Sequence, residues 1–338
     1  MTKNRRIDST WQPKNSRQGE FRRKDSEFRH WITHDGAAGS TGDAGFKAES
    51  GRYHLYVSLA CPWAHRTLIF RQLKELNDII SVSVVHPDMP NNDWVFKHDE
   101  KSAELYETTG DTLYNSESLS QRYHECADHY EGVITVPVLW DKQQRCIVNN
   151  ESSEIIRMFN TAFNHLTGNK LDYYPEKLRP EIDEINQWIY HDINNGVYKT
   201  GFASTQKAYE RNCKKLFSGL DKVEEILAKQ RYLVGDEITE ADWRLVPTLF
   251  RFDAVYHTHF KCNIKLISEY ENIYPYMLEL YQHKNIRKSI NMAHIKQHYF
   301  YSHRSINPHG IVGIGPEQDW NAPAISRENF TLQQSEAL

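Results

Sequence analysis

Polar and apolar positions alternate from Tyr53 to Leu59, with His54, Tyr56 and Ser58 set against Leu55, Val57 and Leu59. This predicts a half-buried strand. The period then lengthens. Leu68, Ile69, Leu73 and Leu76 share one helical face, and Pro62 sits in the first turn, where its missing amide has no intrahelical partner to lose. Cys61 therefore stands at the mouth of a helix. A second β-branched, alternating run, Ile79 to Val85, predicts another strand, and Leu119 to Tyr130 a further helix. Residues 132–160 read as strand, short turn, strand, then a helix starting near Glu151 and Ser152. Pro137 cannot donate to a ladder, so it belongs at a strand edge or start, and a cis Val136–Pro137 bond is expected there. Beyond Lys177 the spacing is helical throughout: Ile182, Ile185, Ile189 and Ile193 repeat in one segment, and Leu216, Leu220, Val223 and Leu227 in another. Thr239 and Asp242 have capping-box spacing ahead of a buried helix.

Two stretches resist periodic assignment. Residues 1–52 are polar and glycine-bearing, and predict an arm draped over the fold with Trp11, Phe21, Phe28 and Trp31 as anchors. Gly36, Gly39, Gly42 and Gly45 are not followed by Lys-Ser/Thr, so a phosphate loop is not supported. Residues 86–118 form a long excursion, of the kind that is functional or disordered. In the tail, glycines 310, 313 and 315 precede Pro316 rather than a helix, which argues against a dinucleotide fingerprint.

With 338 residues the chain has length for two domains of ordinary size. Lys and Arg number 41 against 45 Asp and Glu, so no basic surplus points to nucleic acid or to an anionic membrane surface. The start lacks the apolar core of a signal peptide, no apolar run approaches membrane-spanning length, and five cysteines without a repeating spacing suit a reducing compartment. A cytoplasmic protein is expected. The 19 Tyr, 14 Phe and 8 Trp suffice to line an aromatic-binding cleft as well as to fill cores.

Cys61 changes the picture chemically. The free amides and dipole of a helix start favour an anion, and cysteines so placed drop from a pKa of about 8.5 to roughly 3.5 to 7.5. A redox dithiol would need a second cysteine three residues on, where Ala64 stands. An external thiol must then complete any reaction Cys61 starts, and glutathione is the natural co-substrate. The competing reading is a buried structural cysteine acting as a small hydrophobe.

The order β-α-β-α-β-β-α followed by an all-α half resembles cytosolic glutathione transferases: an α/β thioredoxin-like domain plus a helical domain. The strings CPWAHR, PNNDWVF, TVPVLWD, NNESSEIIRMFN, NNGVYKTGFA, RFDAVYHTHFKC and the INPHGI tail closely resemble the xi class, the glutathionyl-hydroquinone reductases, over nearly the whole chain after about residue 10. The resemblance implies reduction of S-glutathionyl-hydroquinones by glutathione, with Cys61 as the nucleophile that ends as a glutathione mixed disulfide. It implies Trp94 as a glutathione contact and Val133, Ile134, Thr135 and Val136 as the backbone that pairs with the tripeptide. Glu151 and Ser152 match the clamp for the γ-glutamyl group, and Tyr198 the proton donor. Tyr256 and Tyr299 match tyrosines that bond the sulfur or a substrate hydroxyl. A homodimer is implied as well. Some relatives carry arginine where Val133 stands, so one charged contact to glutathione is missing and binding should be modestly weaker.

The expected division is an arm to 50, a thioredoxin-like domain over 51–165, a helical domain over 166–300 and an extension over 301–338. Zinc is not expected: neither His257, His259 and Cys262 nor the His294/His298 pair has a complementary ligand pair at metal spacing. Two rivals remain, a general glutathione-dependent thioltransferase or dehydroascorbate reductase, and a catalytically idle module that binds partners.

Overall fold

The computed structural model describes residues 18–322. Its principal sheet has four strands in the order β4-β3-β5-β6, formed by β3 (Tyr53–Val57), β4 (Ser81–Val84), β5 (Val138–Asp141) and β6 (Cys146–Asn149). β3 runs parallel to β4 and antiparallel to β5, with Leu55 opposite both Val82 and Leu139. All five residues of β3 are buried, the mark of a central strand covered on both faces. Helices α1 (Pro62–Leu73) and α4 (Ser152–Thr161) pack together on the sheet. With α2 (Glu100–Tyr106) and α3 (Ser120–Cys126) they complete the expected β-α-β-α-β-β-α order, with the additional α2 inside the excursion.

Several boundaries differ from the sequence expectation for physical reasons. Ile79 and Ile80 belong to the turn after α1, where the Ile80 amide bonds back to Leu76, so the strand starts at Ser81. The helix expected to reach Tyr130 stops at Cys126. Residues 133–136 are not a ladder strand: the Tyr123 hydroxyl takes the Thr135 amide (3.2 Å) and donates to its carbonyl (2.9 Å). The Val136–Pro137 bond is cis and β5 begins directly after it. The arm is more than a loop. β1 (Trp31–Thr33) and β2 (Gly45–Lys47) pair in parallel, and the chain between them passes so close to Trp31 that a Cβ at Gly39 would lie 2.1 Å from the indole. Trp11 lies outside the described residues; Phe21 is buried, and Phe28 and Trp31 pack against the core.

The second half comprises α5 (Asn164–Thr167), α6 (Arg179–Ile189), α7 (Gly196–Gly201), α8 (Gln206–Leu227), α9 (Glu240–Arg251), α10 (His257–His259), α11 (Ile273–Gln282) and α12 (Met292–Gln297). The predicted apolar faces of α6 and α8 are buried. Thr239 and Asp242 form the capping box, and the buried Asp242 also accepts from the Leu233 amide (2.9 Å) and the Tyr276 hydroxyl (2.8 Å). Three wide π-helical turns interrupt this half, at Tyr190–Asn194, Phe252–Tyr256 and His298–Ser302. An extra residue per turn redirects side chains and is common at functional sites. Here Asn194, Tyr256 and Tyr299 stand in these turns with their side chains buried. Among the described residues no helix is long and apolar enough to cross a membrane.

Candidate active site

Cys61 is the N-cap of α1. Its Sγ accepts from the Ala64 amide at 3.5 Å and donates to the Val136 carbonyl at 3.4 Å. Strand β3, helix α1 and the turn before Pro137 thus converge on one sulfur, as the positions of the two prolines suggested. The electrostatics differ from the sequence expectation of a freely ionised thiolate. Burial pushes the thiol pKa up, and the Ala64 and Trp63 amides and the charges of Arg251 and Arg23 oppose that rise. The sulfur is only 6% exposed as part of its residue, so desolvation outweighs the helix start.

A second group of residues lies at the start of α4, whose N-cap is Glu151. Glu151 Oε1 accepts from the Ser153 amide (3.0 Å) and hydroxyl (2.9 Å), and Oε2 from Ser26 of the arm (3.1 Å). Burial disfavours its charge, yet the Ser153 bonds, Arg244 and Arg66 together hold the carboxyl below its usual range. Ser152 is buried beside it, with Arg66 Nη1 3.5 Å from its hydroxyl. Arg66, which comes from α1, also reaches Asn194 Oδ1 (3.0 Å) and the Arg244 carbonyl (2.8 Å). Burial lowers its pKa to about 9.

Trp94 is 1% exposed, and its ring stacks on His298 with centroids 4.9 Å apart and planes 20° apart. His298 is fixed in turn by its Nδ1–H, which donates to the Pro87 carbonyl at 2.8 Å. The Trp94 Nε1–H is buried without a hydrogen-bond partner among the described residues. A buried donor left open in this way is available to an acceptor, as are the indole donors of Trp63 and Trp243.

The three tyrosines meet. Tyr198 Oη lies 2.6 Å from Tyr299 Oη, which lies 3.1 Å from Tyr256 Oη. Their hydroxyls bond one another, and the sulfur bonds the Ala64 amide and the Val136 carbonyl. Burial and the nearby Cys61 raise the Tyr198 pKa, and burial raises those of Tyr256 and Tyr299 well above normal. All three remain protonated phenols. The Tyr198 ring stacks near Phe21, Trp63 and Phe202, with the Arg23 guanidinium 4.8 Å over it. Arg23 also donates to Asn195 (3.1 Å).

Of Val133, Ile134, Thr135 and Val136, the last meets the sulfur through its carbonyl, while the Thr135 backbone is occupied by Tyr123 and the Val133 carbonyl takes the Tyr130 hydroxyl at 3.5 Å. The sequence assigned no site role to Arg23, Ser26, Trp63 or Arg66, and weighed His298 only as a zinc ligand; Trp63 and Arg66 carried a local signal, since both stand in CPWAHR with Cys61. The histidines weighed for zinc are otherwise engaged: His259 bonds His303 (3.2 Å), and His294 bridges Ser58 (3.2 Å) and the Tyr106 carbonyl (2.9 Å). Among the described residues no group of three His, Cys, Asp or Glu side chains is arranged to hold a metal.

Two family models match the chain: the glutathione S-transferase N-terminal domain over residues 60–162 and the C-terminal domain over residues 206–279. The chain is 54% identical over 314 residues to the glutathionyl-hydroquinone reductase YqjG of Escherichia coli K12, covering 93% of this chain and 94% of that protein. It is 47% identical over 308 residues to the glutathionyl-hydroquinone reductase PcpF of Sphingobium chlorophenolicum, covering 91% and 93%. The glutathione-bound structure of YqjG superposes with a TM-score of 0.85 at 55% identity, over 88% of this chain and 96% of that one. The xi glutathione transferase of Phanerochaete chrysosporium gives 0.82 at 51% identity, over 92% and 96%. The chain belongs to the glutathione S-transferases, in the xi class of glutathionyl-hydroquinone reductases.

Proposed function

We propose that this enzyme reduces S-glutathionyl-hydroquinones to hydroquinones at the expense of glutathione, with Cys61 as the nucleophile. The observation that carries the reading is the Tyr198 phenol, bonded to the Tyr299–Tyr256 pair and stacked near Trp63, two residues after Cys61 at the start of α1. The Cys61 thiolate attacks the thioether sulfur of the substrate. The carbon–sulfur bond breaks, its electron pair stays on the ring carbon, and Tyr198 supplies the proton that carbon needs. A Cys61-glutathione disulfide forms. A second glutathione thiolate attacks the glutathionyl sulfur, giving oxidised glutathione and restoring the Cys61 thiolate. A placed acid of this kind contributes roughly 10²- to 10⁴-fold.

Substrate binding and thiol ionisation are coupled in this scheme. A peptide N–H that takes the Val136 carbonyl removes the acceptor that favours the S–H form, while the Ala64 and Trp63 amides continue to favour the anion. Glu151 and Ser152 receive the γ-glutamyl ammonium and carboxylate, and Trp94 Nε1 donates to the tripeptide. The arm closes over this clamp through Ser26.

The five free cysteines fit a reducing cytoplasm. We assign the arm to 1–50, the thioredoxin-like domain to 51–165, the helical domain to 166–300 and the extension to 301–338. Within the extension Ile311 and Ile314 lie exposed, the latter 95%, which supports burial of this segment in a homodimer. Sedimentation of the purified protein tests that assembly.

The competing activity, general thioltransfer or dehydroascorbate reduction, needs Cys61 but no ring-protonating acid. Turnover of an S-glutathionyl-hydroquinone is to be compared with that of a glutathionylated small disulfide and of dehydroascorbate. A kcat/KM for the aryl thioether no higher than for the other two overturns the dedicated reading.

A further inference from the structure

Arg251 is the last residue of α9 and is 0% exposed, yet among the described residues it meets no carboxylate. Its hydrogen-bonding capacity is nonetheless well used. Nε donates to the Ala60 carbonyl (2.7 Å), Nη2 to the Leu59 carbonyl (2.8 Å), and Nη1 to the Pro247 carbonyl (2.8 Å) and His65 Nδ1 (3.1 Å). His65 faces it as a neutral imidazole, because burial and the guanidinium itself lower its pKa well below normal, and its Nε2 side is fixed on Ser289 (2.7 Å). Four neutral acceptors take four of its five N–H donors and leave the charge uncompensated. Buried charges are ordinarily paired, because desolvation is costly. Two of the three carbonyls held belong to the residues that immediately precede Cys61.

We propose that Arg251 is a positioning residue for the reaction: it fixes the Leu59–Ala60 turn that presents Cys61, and its buried positive charge is balanced by the Cys61 thiolate. This rests on Cys61 being the nucleophile. Charged and titratable groups that act on the sulfur include Arg251 from α9, Arg23 from the arm and Tyr198 from α7, the last a protonated phenol, and Arg251 itself faces His65 of α1, Tyr256, His294, His298 and Tyr299, neutral imidazoles and protonated phenols. Arg251 alone joins the charge to the backbone of the turn. A guanidinium is suited to this because it spreads its donors over four acceptors, whereas an ammonium offers three from one point.

The test is the pH dependence of Cys61 alkylation by iodoacetamide, read at the Cys61 peptide by mass spectrometry, in full-length unmodified, Arg251→Gln and Arg251→Lys proteins. Removing a nearby opposite charge should raise the apparent thiol pKa of Arg251→Gln by roughly one unit or more, with its turnover deficit shrinking as pH rises. Arg251→Lys should keep the unmodified alkylation profile while losing turnover at every pH, since the turn is held less firmly. Two further variants cover the case in which Arg251→Gln does not fold. His65→Glu sets a carboxylate against the guanidinium and should reproduce the upward shift, whereas His65→Gln keeps a neutral acceptor and should not. Superimposable alkylation profiles for Arg251→Gln and the unmodified protein, or for the two His65 variants, overturn the proposal. Full turnover in Cys61→Ala would instead overturn the nucleophile assignment on which it rests, so the two failures are distinguishable.

Discussion

Tyr198 on α7 and Tyr299 in the wide turn after α12 share a hydrogen bond of 2.6 Å between their hydroxyls, although 101 residues separate them in the chain. The contact joins the sequence motif carrying the expected proton donor to the last helical turn of the second half. It also orients the Tyr198 hydroxyl, because Tyr299 is itself held by Tyr256 at 3.1 Å.

Replacing Tyr198 by Phe keeps the ring packing of Phe21, Trp63 and Phe202 but removes the acid. Turnover of an S-glutathionyl-hydroquinone should fall by about 10²-fold or more, while reduction of a glutathionylated disulfide, which needs no carbon protonation, should change by less than about 3-fold. Steady-state kinetics on the two substrates checks this; equal losses on both contradict the proton-donor role.

Glu151→Gln keeps the size of the clamp residue but not its charge. The glutathione KM should rise roughly 10-fold or more with a smaller change in kcat, as expected for loss of a charge-assisted bond to an ammonium. Ser26→Ala removes one hydrogen bond to the same carboxylate, worth about 1 kcal/mol, and should raise KM by about 5-fold. An unchanged KM in both variants excludes this clamp.

Val133 is only partly buried at the edge of the site. Val133→Arg adds a cation there, and calorimetry should find tighter glutathione binding than in the unmodified protein. Equal or weaker binding contradicts the expectation.

Acid should destabilise the fold. Burial lowers His259 and His294 to about 3 and His298 to about 4, against an unfolded value near 6.5. Between pH about 6.5 and 4 the unfolded chain therefore binds protons that the folded one refuses, so stability falls as pH falls. Asp242, raised to about 6 by burial, acts in the opposite sense between its unfolded pKa of about 3.8 and pH 6, but three imidazoles outnumber one carboxyl. Urea unfolding at pH 7 and 4.5 should differ by on the order of 5 kcal/mol. Equal stability contradicts it. His298→Phe should reduce the difference.

The sequence made the order of strands and helices along the chain, the helix mouth at Cys61 and the start of α4 legible because each depends on local signals: period, proline and cap. The Thr239–Asp242 box was readable for the same reason. Residues 133–136 were misread as strand because Tyr123, ten or more positions earlier, occupies the Thr135 backbone, a tertiary contact no local pattern reports. The arm concealed Arg23 and Ser26 in a polar run that composition could not distinguish from solvated surface. The ionisation of Cys61 was misjudged for a related reason. Helix position is visible in the sequence, but the desolvation that opposes it depends on everything packed around the sulfur.

The account depends most directly on Cys61. Purified protein, Cys61→Ala and Cys61→Ser are to be compared for hydroquinone release from an S-glutathionyl-hydroquinone in the presence of glutathione, with intact-mass detection of the protein during turnover. The predicted result is loss of release in both variants, together with a single glutathionyl adduct on the unmodified protein that additional glutathione removes. Continued release without Cys61 would contradict the mechanism and require an enzyme that activates the thiol of glutathione itself.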